Sequence, residues 1–356
     1  MSILSRDRVS TALAHRQPDR VPLDFWAVPE VWEKLFAHFS TRDEETVLSQ
    51  LGVDIRQVQP EYIGPPLRTL PNGTFYDPMG CHRRLVKNDL CTYDEYASYP
   101  LAEAETIEDL ENYPYWPNPQ DYDYASLPQR IGKLKDTHYI KLETGGIFEF
   151  AWALRGMENF MMDMILQPEI PSYIMQKLTD FYIAYVDNVM QAAGEYYDMV
   201  YTYDDIAGQH GLLLSRSTWE EIIKPFHQQL NAAIKRHGKT IMYHSCGAIF
   251  DMIPALAELP IDVLNPLQPK ADGMDFEKIK ACFGKELSFH GGIDIQELLP
   301  RGTQEQVRQA VRHAIDTLGP GGGYILSSAH YIQADTPVDN ILAMYDEARN
   351  YHPARP

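Results

Sequence analysis

The chain has 356 residues, 44% of them hydrophobic, and its 31 basic side chains against 50 acidic ones give a formal net charge of -19. That balance argues against nucleic acid and anionic membrane surfaces as partners, because both reward positive potential. No stretch reaches the roughly 20 apolar residues of a membrane-crossing helix and the first residues hold no signal-peptide core, so a cytoplasmic protein is expected. Cys81, Cys91, Cys246 and Cys282 are scattered and read as reduced thiols, one of them a candidate metal ligand.

In chain order, "SRDRVSTALAH" (5–15) predicts a short capped helix, and "QPDRVPLDFW" turns into an extended apolar segment that suits a first strand. Residues 60–130 are rich in Pro, Gly and aromatics with little periodicity. They predict an irregular loop and hairpin insertion covering one mouth of the domain. From about residue 138, short apolar runs alternate with amphipathic segments. The expected strands are "HYIKLE" (138–143), "DMVYTYD" (198–204), "TIMYHS" (240–245), "IDVLNPL" (261–267), "ELSFHGG" (286–292) and "GYILSS" (323–328). Between the first two, Ile174, Leu178, Phe181, Tyr185 and Val189 share one helical face. Ser217 and Glu220 read as a capping box ahead of a helix that Pro225 divides. Val307, Val311, Ala314 and Leu318 mark a further helix ending at Gly319 as C-cap, and "PVDNILAMYDEARN" is the last. Strand alternating with helix over this length predicts a parallel sheet closed as a TIM (β/α)8 barrel, a single domain over residues 1–356.

In "TIMYHSCGAIF", His244 and Cys246 lie two apart at the end of an apolar run. Side chains with that spacing on a strand share a face, and the C-terminal end of a barrel strand is where chemistry sits. Thiolate plus imidazole is half of a common zinc set, and a catalytic zinc keeps three protein ligands and one open position. On spacing alone, a lone His-x-Cys is more often packing than metal. Third ligands come from other strand ends: His330 after the last run, His290 in "SFHGG", or His210 on a loop. Asp204 and Asp205 follow another strand, where alternation lets one face the mouth while the other braces a loop. Either suits a general base, a substrate anchor or a partner orienting a ligating imidazole, and a turn cap is the plain alternative. Glu149, after a Gly-Gly turn, is a candidate metal or substrate contact or a carboxylate at a helix start. "GPGGG" (319–323) precedes a strand, so a tight turn explains it better than phosphate binding. No GxGxxG follows a strand, and there is no P-loop and no nucleophile elbow.

The succession of "ALAHRQPDRVPLDFW", "GGIFEFAWALRGMENFMMDMILQPE", "DDIAGQHGLLLS", "YHSCGAIFDMIPALAELPIDVLNPLQ", "GGID" and "DTPVDNILAMY" resembles the uroporphyrinogen decarboxylase superfamily along nearly the whole chain. The resemblance implies a TIM barrel and one of two chemistries. The decarboxylases carry an arginine-rich N-terminal motif for their substrate's carboxylates. This chain has no arginine between Arg20 and Arg42. The resemblance therefore implies the other branch, zinc-dependent methyltransferases working with a corrinoid protein. Their motif is His-x-Cys plus a late cysteine, and here His330 stands where that cysteine is expected. The implied set is Zn²⁺ on His244, Cys246 and His330, with Glu149 as an occasional member of the metal shell and Asp204 or Asp205 orienting substrate or ligand.

One thiolate and two imidazoles leave Zn²⁺ at a formal +1, a stronger Lewis acid than a two-thiolate site. That favours an O-methyl (methoxy) substrate over a thiol. The methylcobalamin or other corrinoid belongs to a separate protein, since the chain lacks an Asp-x-His-x-x-Gly motif. Trp26, Trp116 and Trp152 are candidates for an apolar collar around the substrate. Alternatives are a zinc hydrolase or lyase, a metal-free enzyme of the decarboxylase type, and a non-catalytic binding protein.

Overall fold

The computed structural model describes residues 3–88 and 92–352. Cys91 lies outside them. Seven parallel strands form one curled sheet in chain order: β1 (Ile55–Gln57), β2 (Tyr139–Gly146), β3 (Met199–Tyr203), β4 (Thr240–His244), β5 (Val263–Leu267), β6 (Ser288–Ile293) and β7 (Tyr324–Ser328). The segment around Leu23 closes the gap between β7 and β1. Leu23 bridges Leu326 in parallel, and the Asp54 amide, just before β1, donates to the Leu23 carbonyl at 2.8 Å. The result is a TIM-type barrel. All six expected runs lie in its sheet, whereas β1, three residues long and reading Ile-Arg-Gln, has no apolar run to announce it.

Helices cover the outside, so the strands are buried on both faces and read as continuous runs; β5 and β7 are buried at every position. The longest helix, Glu169–Ala193, buries Ile174, Leu178, Phe181, Tyr185 and Val189. Inside the barrel, alternation sorts residues by height. Val9, Trp26, Ile55, Tyr139, Met199, Tyr201, Met242, Val263 and Ile325 form a separate apolar core. Two residues further along the same inward faces come Lys141, Tyr203, His244 and Asn265, with His290 opposite Ile325. An apolar floor thus supports a polar layer at the C-terminal end.

Within residues 60–130, Phe75–Tyr76, His82–Lys87 and Thr92–Ser98 form an antiparallel sheet, and Glu61–Tyr62 pairs with Tyr122–Asp123. Three local expectations change. The first helix, Ser5–Leu13, has Leu4 at its N-cap and no side-chain cap. The cap expected at Ser217 is Ser215, whose hydroxyl accepts from the Thr218 amide, and the irregularity is a π turn at Trp219–Ile223 ahead of the Lys224–Arg236 helix. Gly319 ends its helix with φ -74°, so it makes no left-handed cap. The glycines after it are a turn at the opposite end from the polar layer. Gly322 has φ +82°, and a Cβ there would lie 2.4 Å from the Arg16 carbonyl oxygen.

Candidate metal centre

β4 ends at His244, and Cys246 lies beyond it in the following loop. The loop turns back because Cys246 N–H donates to Asp205 Oδ1 at 2.7 Å and Gly247 N–H to Gln268 Oε1 at 2.9 Å. This brings Cys246 Sγ to 3.3 Å from His244 Nε2. His330, two residues past β7, comes across the mouth, and one ligand atom from each of His244, Cys246 and His330 lies within 4.8 Å of the others. The edge of a tetrahedron with bonds of about 2.0–2.3 Å is about 3.3–3.8 Å, so a zinc-sized ion needs only a small contraction of this triangle.

The imidazole of His244 is fixed from behind. Its Nδ1–H donates to Asn265 Oδ1 at 2.5 Å, Asn265 Nδ2 donates to His290 Nδ1 at 2.5 Å, and His290 Nε2–H donates to Asp24 Oδ2 at 3.1 Å. Asp24 also receives Lys141 Nζ at 3.0 Å and Trp26 Nε1 at 2.9 Å. With Nδ1 committed, His244 turns Nε2 toward the cluster, where Cys246 Sγ and, at 3.4 Å, Asp205 Oδ1 face it. Burial works against a charge on His244, yet Cys246 and the Asp205 carboxylate beside its Nε2 prevail and hold its pKa well above the ordinary value, while burial pushes the Cys246 thiol up. A site built this way wants a cation at Nε2, whether proton or metal. Burial, helped by His244, pushes His330 down to about 4, leaving a neutral ring with a free lone pair.

Asp204 and Asp205 point apart, as neighbours on extended backbone do. Asp205 faces the cluster. Asp204 is fully buried and accepts the Ile147, Phe148 and Glu149 amides at the start of the Ile147–Arg155 helix, with His227 Nε2 at 2.6 Å on the same carboxylate. Glu149 accepts the Asp205 amide at 3.0 Å. Burial, then the Asp204 and Asp205 carboxylates, push Glu149 up to about 7. His290 is buried in the relay behind His244, and His210 is exposed beside Asp272 at 3.2 Å. Trp26 stacks on His244 with ring centroids 6.3 Å apart. Trp116 donates to the Leu110 carbonyl and Trp152 packs on Tyr96, and neither lines the aromatic cavity that begins at Tyr203, whose ring centroid is 6.4 Å from that of His244.

That cavity, of about 450 Å³, is walled by Tyr122, Tyr182, Tyr185, Tyr203 and Glu143 among others. Asn265, Asp24 and Lys141, which build the relay behind His244, have no place among the residues singled out from the sequence. Their signal was a polar residue within an otherwise apolar run, at the inward parity set by neighbours such as Val263 and Tyr139.

Residues 79–351 match the family model described as uroporphyrinogen decarboxylase (URO-D). The chain belongs to the URO-D family. Among its curated relatives is a methylated-thiol--coenzyme M methyltransferase of Methanosarcina mazei, 26% identical over 196 residues, which are 55% of this chain and 49% of that protein. A uroporphyrinogen decarboxylase of Crocosphaera subtropica is 25% identical over 186 residues, 51% of this chain and 48% of that one. The matched region thus spans about half the length of these relatives. The solved structure of a methyltransferase from Methanosarcina mazei shares the URO-D fold with a TM-score of 0.68 at 17% identity, over 98% of this chain and 99% of that one. No helix among the described residues is long and apolar enough to cross a membrane.

Proposed function

We propose that this URO-D family member is a cytoplasmic zinc-dependent methyltransferase that moves a methyl group between a small O-methyl (methoxy) substrate and a corrinoid carried by a separate protein. The observation that carries the reading is the convergence of Cys246 Sγ and Asp205 Oδ1 on His244 Nε2, with the neutral His330 completing the triangle. Methyl transfer among the relatives supports the reaction class.

His244, Cys246 and His330 would hold the ion, whose contribution is Lewis acidity toward the oxygen that leaves as alkoxide or phenolate. Asn265 orients His244, and Asp205 fixes the Cys246 loop through its amide. Asp205 also brings a second negative charge near the ligands, which offsets the formal +1 of the ligand set. That carboxylate is not one of the three ligands, so it donates no lone pair to the ion and would lower its Lewis acidity less than a second coordinated thiolate, which favours an oxygen substrate. Asp204 and Glu149 set the junction of β3 with the Ile147–Arg155 helix. A polycarboxylate substrate fits poorly: Arg8 and Arg20 both bind the buried Asp54, at 2.6 and 2.8 Å.

The test is zinc per chain by elemental analysis in wild type and His330→Ala, followed by methyl transfer from methoxylated compounds to a Co(I) corrinoid protein, read from the corrinoid spectrum. Near-stoichiometric zinc that falls severalfold in the variant, with turnover only when the corrinoid protein is present, is the expected result. A metal-free wild type sinks the reading, and turnover of substrate alone replaces it with a hydrolase or lyase.

A further inference from the structure

The cavity beside the metal cluster has a chemical character of its own. Its wall includes the rings of Tyr122, Phe150, Phe181, Tyr182, Tyr185 and Tyr203. Tyr203 joins it to the cluster: its ring centroid is 6.3 Å from that of Phe150 and 6.4 Å from that of His244. Gly145 makes room for the deepest phenol, since a Cβ there would fall 1.8 Å from the Tyr182 hydroxyl oxygen.

The charged groups in this wall are carboxylates, Glu143 and Asp77, and no lysine or arginine is among the described lining residues. The nearby cations are already committed: Lys141 binds the buried Asp24 at 3.0 Å, and Arg83, 4.0 Å from Asp77, binds Asp94 at 2.7 Å. Glu143 accepts one bond from Gln57 Nε2 at 2.5 Å, and burial pushes its pKa up. An anionic ligand would meet two carboxylates, of which only Asp77 has a cation within salt-bridge distance, Arg83 at 4.0 Å. A neutral one would leave the Glu143 desolvation uncompensated. A cation gains from both, from ring faces whose quadrupole attracts positive charge and from the carboxylate.

We propose that this cavity binds the non-reacting part of the substrate and that this part carries an ammonium group. The proposal rests on the methyl-transfer reading for the cavity's purpose, and its test needs no catalysis. Binding of three shape-matched probes to metal-stripped protein is measured by titration calorimetry: choline, 3,3-dimethylbutan-1-ol, in which carbon replaces the charged nitrogen, and the anion 3,3-dimethylbutanoate. Choline is expected to bind at least tenfold more tightly than the alcohol, equivalent to about 1.4 kcal/mol, and the anion most weakly. Glu143→Gln, checked for an unchanged circular dichroism spectrum, should remove most of the choline-to-alcohol ratio. Gly145→Ala, which drives Tyr182 into the space, should weaken choline severalfold.

An alcohol that binds as well as choline, a preference for the anion, or no binding of choline at tens of millimolar overturns the proposal. So does a ratio unchanged in folded Glu143→Gln. If choline is preferred while methyl transfer fails, the reading of the metal centre falls and that of the cavity stands.

Discussion

Asn265 decides which nitrogen of His244 is free. With its amide oxygen accepting from Nδ1 and its amide nitrogen donating to His290, it locks both ring orientation and tautomer, leaving Nε2 for a ligand role. Asn265→Ala should therefore lower zinc affinity about 10–100-fold, the usual cost of losing a partner of a ligating histidine. Competition with a chromophoric chelator at fixed pH reads this directly. An affinity within twofold of wild type would mean that the relay does not set the tautomer. The pair His244 and Cys246 was legible in the sequence because histidine and cysteine stand out at a strand end. Asn265 was not, because "VLNPL" reads as an ordinary buried strand until its parity against Val263 is known.

At the level of elements, Asp204 joins β3 to the Ile147–Arg155 helix. Three amides at the positive end of that helix and the His227 ring all point at one fully buried carboxylate. Asp204→Ala strips every one of these donors of its acceptor at once. At about 1–3 kcal/mol for each buried group left unsatisfied, partly relieved by water, a loss of about 3–5 kcal/mol is expected in urea unfolding. A loss below about 1 kcal/mol would show that the helix start is held by other contacts. The alternation of strand and helix from residue 138 onward was readable, since strands buried on both faces carry continuous apolar runs. β1 was not, because only three residues pair and they form no such run, and the hairpin within residues 60–130 left no clear period because most of its residues are solvated on both faces. The direction of Asp204 was open in the sequence for a related reason: strand parity separates it from Asp205, but only the position of the Ile147–Arg155 helix determines which of the two is buried.

For the whole molecule, the closing segment is held to the barrel from the inside by Asp24. Its backbone follows Leu23, the bridge to β7, while its carboxylate reaches Lys141 on β2 and His290 on β6. One side chain thus ties the first extended segment to strands on two sides of the interior, behind the cluster of His244, Cys246 and His330. Burial alone would push this carboxyl up, but the Lys141 ammonium and the His290 ring hold it well below the usual carboxylate range. A carboxyl depressed in the fold, against about 3.9 in the unfolded chain, gives stability that is complete above the unfolded value and drains away as pH falls through the folded one. Asp24→Asn, which leaves Lys141 buried without its counter-charge, should cost about 3–5 kcal/mol at pH 6–7. Burial also pushes the His290 pKa down, so the pH dependence of the Asp24 contribution is best read in a His290→Gln background. There the stability gap between the parent carrying Asp24 and its Asp24→Asn derivative should be wide at pH 5 and narrower at pH 3, as measured by urea unfolding at each pH. A gap that stays constant or widens toward pH 3 would show that the Asp24 carboxylate does not hold the closing segment by its charge.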